Sequence, residues 1–266
     1  MDEEIPLHGG HVNDAVVRVG NTVRRHCHRL SSSIHVLLTH LKVQGYPFSP
    51  EFLGIDDRGR EILGFIPADN SGFEFIWQSS TVLTGIATML RQYHEAVSGF
   101  NHCDYDWLYH YPDEQQHEII CHNDFAPYNL LFKNQLPVGI IDFDLAGPGP
   151  KLRDVAYSAY WCVPLSFHAS DMKVHSTNDI GHGSRRMVEF CRAYGTTDYA
   201  RVLELVAEVL LHMSDQRAMS AMLGKDKALQ LKAEGHLEHW KKEYHAYCHH
   251  RQALENNLYH CSGQLT

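Results

Sequence analysis

The stretch His122-Asn123-Asp124-Phe125-Ala126-Pro127-Tyr128-Asn129, followed by Ile141-Asp142-Phe143-Asp144, decides how this chain is read. Apolar Ile119, Ile120 and Cys121 lead into it, so a short buried strand delivers a polar loop. Asn129-Leu130-Leu131-Phe132 and Val138-Gly139-Ile140-Ile141 are apolar runs separated by Lys133-Asn134-Gln135-Leu136-Pro137. Two such runs around polar and turn-forming residues predict an antiparallel hairpin with a five-residue connection. Its pairing sets Asn129 opposite Asp142 at the open end. Two hard oxygen donors then converge on one point, as Mg²⁺ bridging two phosphates requires. Asp124, upstream of the hairpin, is left to meet a substrate hydroxyl.

These residues resemble the catalytic core of the aminoglycoside phosphotransferase family, which shares the protein-kinase-like fold. The resemblance implies that Asp124 is the catalytic base and that Asn129 and Asp142 hold Mg²⁺. It places His122 beside Asp124 in the catalytic set, as a structural residue of the loop. Asp144 stands where protein kinases have the Gly of D-F-G and is expected to support the metal site indirectly. Asp154 would brace the catalytic loop through its backbone. An acid at a helix start is also favoured by the helix dipole, and the two roles are compatible. ATP or GTP would be the co-substrate, and a small hydroxylated molecule the acceptor: an aminoglycoside, choline, an amino alcohol or a sugar.

Composition narrows the class further. The 266 residues are 44% apolar, enough for a sizeable core. A formal charge of −9 argues against general nucleic-acid binding, which needs a concentrated basic face. The seven cysteines are scattered without a C-x-x-C, which speaks against a disulfide framework and a zinc knuckle. The start Met1-Asp2-Glu3-Glu4 has no signal-peptide character. No apolar run approaches the roughly 20 residues of a membrane span. A reduced cytoplasmic enzyme, with no membrane or nucleic-acid partner, is the expectation; oligomeric state is left open.

Along the chain, residues 1–67 read as hairpin, helix, hairpin. Asp14 to Val19 and Thr22 to Arg25 flank Gly20-Asn21; a helix runs through Leu37, Leu38 and Leu41 to Gly45. Phe52 to Ile55 and Glu61 to Ile66 flank a second turn. From residue 68 to 266 the pattern is mostly helical, starting with Val82, Leu83, Ile86, Leu90, Tyr93 and Val97 at helical spacing. Further helices are expected around 151–162, 184–194, 198–222 and 225–258. The predicted fold class is α+β: a two-lobed, protein-kinase-like fold with a small antiparallel β N-lobe carrying one helix, and a larger, mostly α C-lobe.

The nucleotide end departs from the kinase pattern. Gly9-Gly10 precedes the first strand and either lets backbone approach phosphates or forms a plain turn. No G-x-G-x-x-G and no G-x-x-x-x-G-K-[ST] occurs. Where kinases carry a Lys on the third strand, this chain reads Val23-Arg24-Arg25, and the helix from Ser32 to Gln44 contains no acid. Arg25 is therefore expected to contact phosphate through its paired donors, without an anionic positioner on the helix. Backbone near Phe65 and Ile66 is expected to line the base pocket. Two other classes stay in view: a catalytically weak, nucleotide-binding relative and a metal-dependent hydrolase. The hydrolase rests on His117 and His122, which are five apart in a strand context, whereas H-E-x-x-H needs four on a helix.

Overall fold

The computed structural model describes residues 3–7, 16–69, 72–163, 165–168 and 180–264. Strands β1 (Glu4–Pro6), β2 (Val17–Val19), β3 (Thr22–His26), β4 (Phe52–Ile55) and β5 (Arg60–Gly64) form an antiparallel sheet in the order β1-β2-β3-β5-β4. Helix α1 (Ser31–Val43) crosses from β3 to β4 and buries Ile34, Leu37, Leu38 and Leu41. It stops at Gly45, whose φ of 75° suits a residue without Cβ. Hairpin, helix and hairpin follow the expected order; β1 is an added edge strand.

Helix α2 (Ser80–Val97) is capped by Ser79, whose hydroxyl accepts the Val82 N–H, and it buries the apolar stripe read from the sequence. Beyond it lie β6 (Ile119–Cys121), β7 (Leu130–Lys133), β8 (Leu136–Ile140) and β9 (Gly147–Gly149). The hairpin β7–β8 is tighter than expected: Leu136 and Pro137 join the strand, and the connection is Asn134-Gln135. Both have positive φ (52° and 62°), the conformation that matches the twist of paired strands. In a two-stranded hairpin Pro137 costs no inner-ladder hydrogen bond. Leu130 pairs with Ile140, and the Ile141 N–H donates to the Asn129 carbonyl at 3.0 Å. Asn129 therefore faces Ile141, and Asp142 lies one residue beyond the expected register.

The Gly147-Pro148-Gly149 stretch, rich in turn-forming residues, is a strand paired with β6. A Cβ on Gly147 would fall 1.9 Å from the Tyr109 carbonyl oxygen, so the neighbouring chain occupies side-chain space.

Helices α3 (Lys151–Cys162), α4 (Ile180–Tyr194), α5 (Tyr199–Ser214), α6 (Gln216–Leu223), α7 (Lys225–Ala233) and α8 (His236–Gln264) complete the described chain. The expected helix 198–222 is divided at Asp215, which is extended and caps α6 by accepting the Ala218 N–H. The expected helix 225–258 is divided at Gly235, at φ 83°. One apolar core runs from Leu37 and Leu41 through Tyr93, Phe125 and Ile140 to Val206 and Tyr247, so sheet and helices share a single interior. Among the described residues no helix is long and apolar enough to cross a membrane.

Candidate active site

The loop between β6 and β7 is held from beneath by a buried carboxylate. Asp154, in the first turn of α3, is fully buried and accepts the backbone N–H of His122 at 2.5 Å and of Asn123 at 2.7 Å. His94 on α2 approaches its Oδ2 at 3.2 Å and is itself held by the Tyr194 hydroxyl at 2.8 Å. Burial opposes charge on Asp154, yet the His94 hydrogen bond and nearby positive charge, that of Arg153 included, keep its pKa below the usual value. The bracing role expected of Asp154 is matched by this geometry. Asn123 sits at φ 65°, bound by Arg153 Nη1 at 2.7 Å and donating to the Leu145 carbonyl at 2.9 Å. The loop is thereby fixed immediately before Asp124.

His122 does not reach the cleft. It is 0% exposed, its ring centroid lies 4.5 Å from that of Phe143, and its Nδ1 is 3.3 Å from the Asp124 N–H. Burial lowers its pKa, so it is a neutral packing and positioning residue. Asp124 has two close neighbours in the loop. The Tyr128 hydroxyl donates to Oδ1 at 2.5 Å and also meets the Tyr157 hydroxyl at 2.8 Å. Asn129 Nδ2 donates to Asp124 Oδ2 at 2.7 Å and to its carbonyl at 3.0 Å. Because the amide nitrogen of Asn129 is engaged, its Oδ1 is left as a hard oxygen donor.

Asp142 follows β8 in a left-handed conformation, φ 65° and ψ 65°, which turns the chain from strand into a 3₁₀ turn at Phe143–Leu145. Its side chain is 51% exposed and lies in a recess, where burial and then the charge of Asp144 push its pKa up to about 6, against the pull of Arg25. Asp144 behaves oppositely. Burial would raise its pKa, but His28 and Arg25 hold it at about 2. Two carboxylates one residue apart with pKa values driven apart mark a site prepared for positive charge.

That charge comes first from Arg25. Alternation along β3 sends Arg24 to Thr22 Oγ1, at 2.5 Å, and turns Arg25 toward the catalytic half. Arg25 Nη2 and Nη1 meet the two Asp144 oxygens at 2.5 and 3.1 Å, and Nη1 lies 3.9 Å from Asp142 Oδ1. Its Nε donates to Glu61, the cross-strand partner on β5. The anionic positioner missing from the helix is therefore supplied by the sheet. Helix α1 still takes part, since His35 Nε2 lies 2.6 Å from Glu61 Oε2 and its ring stacks on Phe52 at 3.8 Å. A relay His35–Glu61–Arg25–Asp144 joins α1, β5, β3 and the turn after β8.

At the opposite end of β5 the Phe65 N–H donates to the Asn21 carbonyl at 3.0 Å, and Arg18 covers its ring at 3.9 Å. The Phe65 amide is thus spent on the sheet, which leaves its carbonyl as the backbone group it could offer a ligand. Ile66 lies over β8, within 2.9 Å of where a Cβ on Gly139 would stand. Gly9 and Gly10 lie outside the described residues.

The catalytic half can now be compared with known proteins. Residues 101–205 match the phosphotransferase enzyme family. This span contains Asp124, Asn129, Asp142, Asp144 and Asp154, so the resemblance read from the sequence stands. A trifolitoxin immunity protein of Rhizobium leguminosarum bv. trifolii is 37% identical over 158 residues, 56% of this chain and 58% of that relative. The match thus spans little more than half of the relative's length. Among solved structures, the amicoumacin kinase hAmiN in complex with AMP-PNP, Ca²⁺ and Ami aligns with a TM-score of 0.61 at 11% identity, covering 91% of this chain and 87% of that one. The gentamicin complex of APH(2″)-IIa aligns at 0.56 and 13% identity, covering 88% and 90%. At these identities the likeness is one of fold, and that fold is the expected protein-kinase-like α+β arrangement.

The sequence reading missed Glu61, His35 and Tyr128. Glu61 carried a weak signal, a carboxylate directly before the apolar pair Ile62-Leu63 of β5, and the structure buries it to 0% exposure. The hydrolase alternative finds no support, because His117 turns to the Tyr111 carbonyl at 2.8 Å while His122 is buried. Among the described residues no group of three or more His, Cys, Asp or Glu is placed to hold a metal. The Asn129 Oδ1 and the Asp142 carboxylate nevertheless suit Mg²⁺, which takes one or two protein oxygens and fills its shell with water and phosphate.

Proposed function

We propose that this phosphotransferase-family chain moves the terminal phosphoryl group of a nucleoside triphosphate to a hydroxyl of a small acceptor, with Asp124 as base. The observation that carries this reading is the preparation of Asp124. The backbone of the two residues before it is fixed by Asp154, and its carboxylate already accepts one hydroxyl, that of Tyr128, at 2.5 Å. An acceptor hydroxyl in that position would be oriented by the carboxylate and would lose its proton to it. Asn129 and Asp142 would hold Mg²⁺, which when bound neutralises charge on the phosphates. Arg25 stands beside them, fixed by Glu61, so a phosphate entering the cleft competes with Asp144 for its donors. Catalysis here is chiefly positioning and charge neutralisation. The N-lobe sheet with residues to about 67 would cover the nucleotide, with Ile66 contributing to the base end, and the helices beyond 68 would shape the acceptor site.

An antimicrobial acceptor is favoured over a housekeeping metabolite. The 37% identical relative is named for immunity to trifolitoxin, and two fold neighbours hold an antibiotic acceptor, gentamicin or amicoumacin. Incubating the protein with Mg-ATP or Mg-GTP and a panel of hydroxylated antimicrobials, followed by mass spectrometry, tests the reading. One acceptor should gain a phosphoryl group; nucleotide turnover without any modified acceptor, under conditions where the nucleotide is bound, would count against it.

A further inference from the structure

Outside the catalytic cleft, a cavity of ≈ 150 Å³ opens between the loop around Tyr109 to Asp113, the first turn of α3, and α5. Tyr109, Tyr111, Arg153, Glu208, Val209 and His212 line it, whereas Asp124, Tyr128, Asn129, Asp142 and Asp144 do not. Arg153 is only 5% exposed, and its guanidinium carbon lies 4.5 Å from the Tyr109 ring centroid. Among the described residues it forms no ion pair; its hydrogen-bonding neighbours are Asn123 and Tyr109. Asp154 attracts it through space, but that carboxylate is turned to the backbone of His122 and Asn123. A guanidinium has five donors in a rigid fork, so two neighbours leave donors unspent.

His212 adds a second unspent group. Its Nε2 is buried without a hydrogen-bond partner, and its ring meets Tyr109 edge-on at 5.5 Å. Two carboxylates also line the wall, and both are engaged: Glu208 is held by Arg201 at 2.9 Å and by the Tyr111 hydroxyl at 2.8 Å, and Asp113 accepts from the Gln115 N–H at 3.0 Å and from Gln116 Nε2 at 2.8 Å. A buried cation whose nearest carboxylate, Asp154, is spent on backbone N–H groups is only partly compensated, and water in the cavity would satisfy its donors without adding charge. The volume exceeds the roughly 30 Å³ share of one water and falls short of the roughly 300 Å³ where drug-sized ligand pockets begin.

We propose that this cavity binds a small oxyanion, a phosphate or a short carboxylate, held by Arg153 and His212. A planar or tetrahedral oxyanion accepts two parallel N–H groups from a guanidinium and a third from the imidazole. Arg153 Nη1 holds Asn123, the residue before Asp124, so the bound anion would lie directly behind the catalytic loop. The site is independent of the nucleotide cleft and of the phosphoryl-transfer reading.

Isothermal titration of the full chain with inorganic phosphate, and separately with acetate, in a zwitterionic buffer at fixed ionic strength tests this. The wild type should bind at least one of the two anions saturably at one site, and which one distinguishes phosphate from carboxylate. His212→Phe, which fills space and removes the imidazole donor, should weaken binding at least about tenfold, or roughly 1.4 kcal/mol. Arg153→Met should abolish it; if that variant fails to fold by circular dichroism, His212→Phe decides. Arg25→Ala, which alters the nucleotide cleft, should leave the affinity unchanged. No saturable binding to folded wild type, equal affinity in His212→Phe, or a loss with Arg25→Ala would each overturn the proposal.

Discussion

Glu61→Gln tests the relay that links the sheet to the turn after β8. Glu61 is 0% exposed and sits between Arg25, whose side chain is 20% exposed, and His35, at 13%. The substitution keeps the volume and removes the charge, leaving Arg25 with Asp144 as its close anionic partner. Hydrogen bonds to charged groups contribute about 1.5–3 kcal/mol each, and the charge-assisted bond to Arg25 is the one lost. For a chain of this size each kcal/mol moves the melting midpoint by roughly 2–4 °C, so the predicted drop is about 3–12 °C. Glu51→Gln is the control: Glu51 pairs with Lys42 at 3.0 Å with side chains 44% and 63% exposed, and such pairs contribute at most about 1 kcal/mol. A cycle with His35→Ala should return a coupling of about 0.5–3 kcal/mol between His35 and Glu61. Differential scanning calorimetry reads all of these. If Glu61→Gln melts with Glu51→Gln rather than well below it, the relay carries no energy and the argument built on it fails.

Three further outcomes follow from the site. Asp142→Ala should remove most of the Mg²⁺ dependence of nucleotide binding in calorimetric titrations, and an unchanged dependence would remove Asp142 from the metal site. The same residue has a pH signature. Its folded pKa of about 6 exceeds 3.8, so the folded chain holds a proton that the unfolded chain has released between those values. Its contribution to stability therefore declines as pH rises from about 4 to about 6, and Asp142→Ala should flatten that decline. His212 has the opposite sign: burial, then Arg153, lowers its pKa from 6.5 to about 4, so unfolding takes up a proton and stability is lost as pH falls through that window. His212→Phe should abolish this loss; melting curves at pH 4.5 and 7 with the same difference as wild type would contradict it.

The catalytic half was legible because its signals are local. A polar loop between buried β6 and β7 and an acid after β8 fall within one short stretch, and strand periodicity places them with an error of one residue. That error came from the connection: Asn134 and Gln135 both adopt left-handed backbone, which Asn favours but Gln does not announce, and a two-residue turn shifted the register. The N-lobe was legible in topology and not in chemistry. Arg25 and Glu61 are 36 residues apart and meet only because β3 pairs with β5, a choice that alternation within each strand does not encode. At Phe65, too, the sheet uses a group that alternation does not reveal, since its amide donates to the Asn21 carbonyl. Helix boundaries at Asp215 and Gly235 carried the expected cap chemistry within periodic runs that looked continuous.

Central to the account is that Asp124 works on an acceptor hydroxyl. Once an acceptor has been found, phosphoryl transfer from labelled nucleoside triphosphate should be measured for wild type and Asp124→Asn at matched nucleotide saturation. Removing one charge from a side chain that accepts from Tyr128 and Asn129 keeps the shape of the site, so nucleotide binding and melting should stay close to wild type. Transfer should fall by about 10²–10⁴, the range for loss of general base catalysis. An Asp124→Asn protein that transfers phosphate at the wild-type rate would contradict the account.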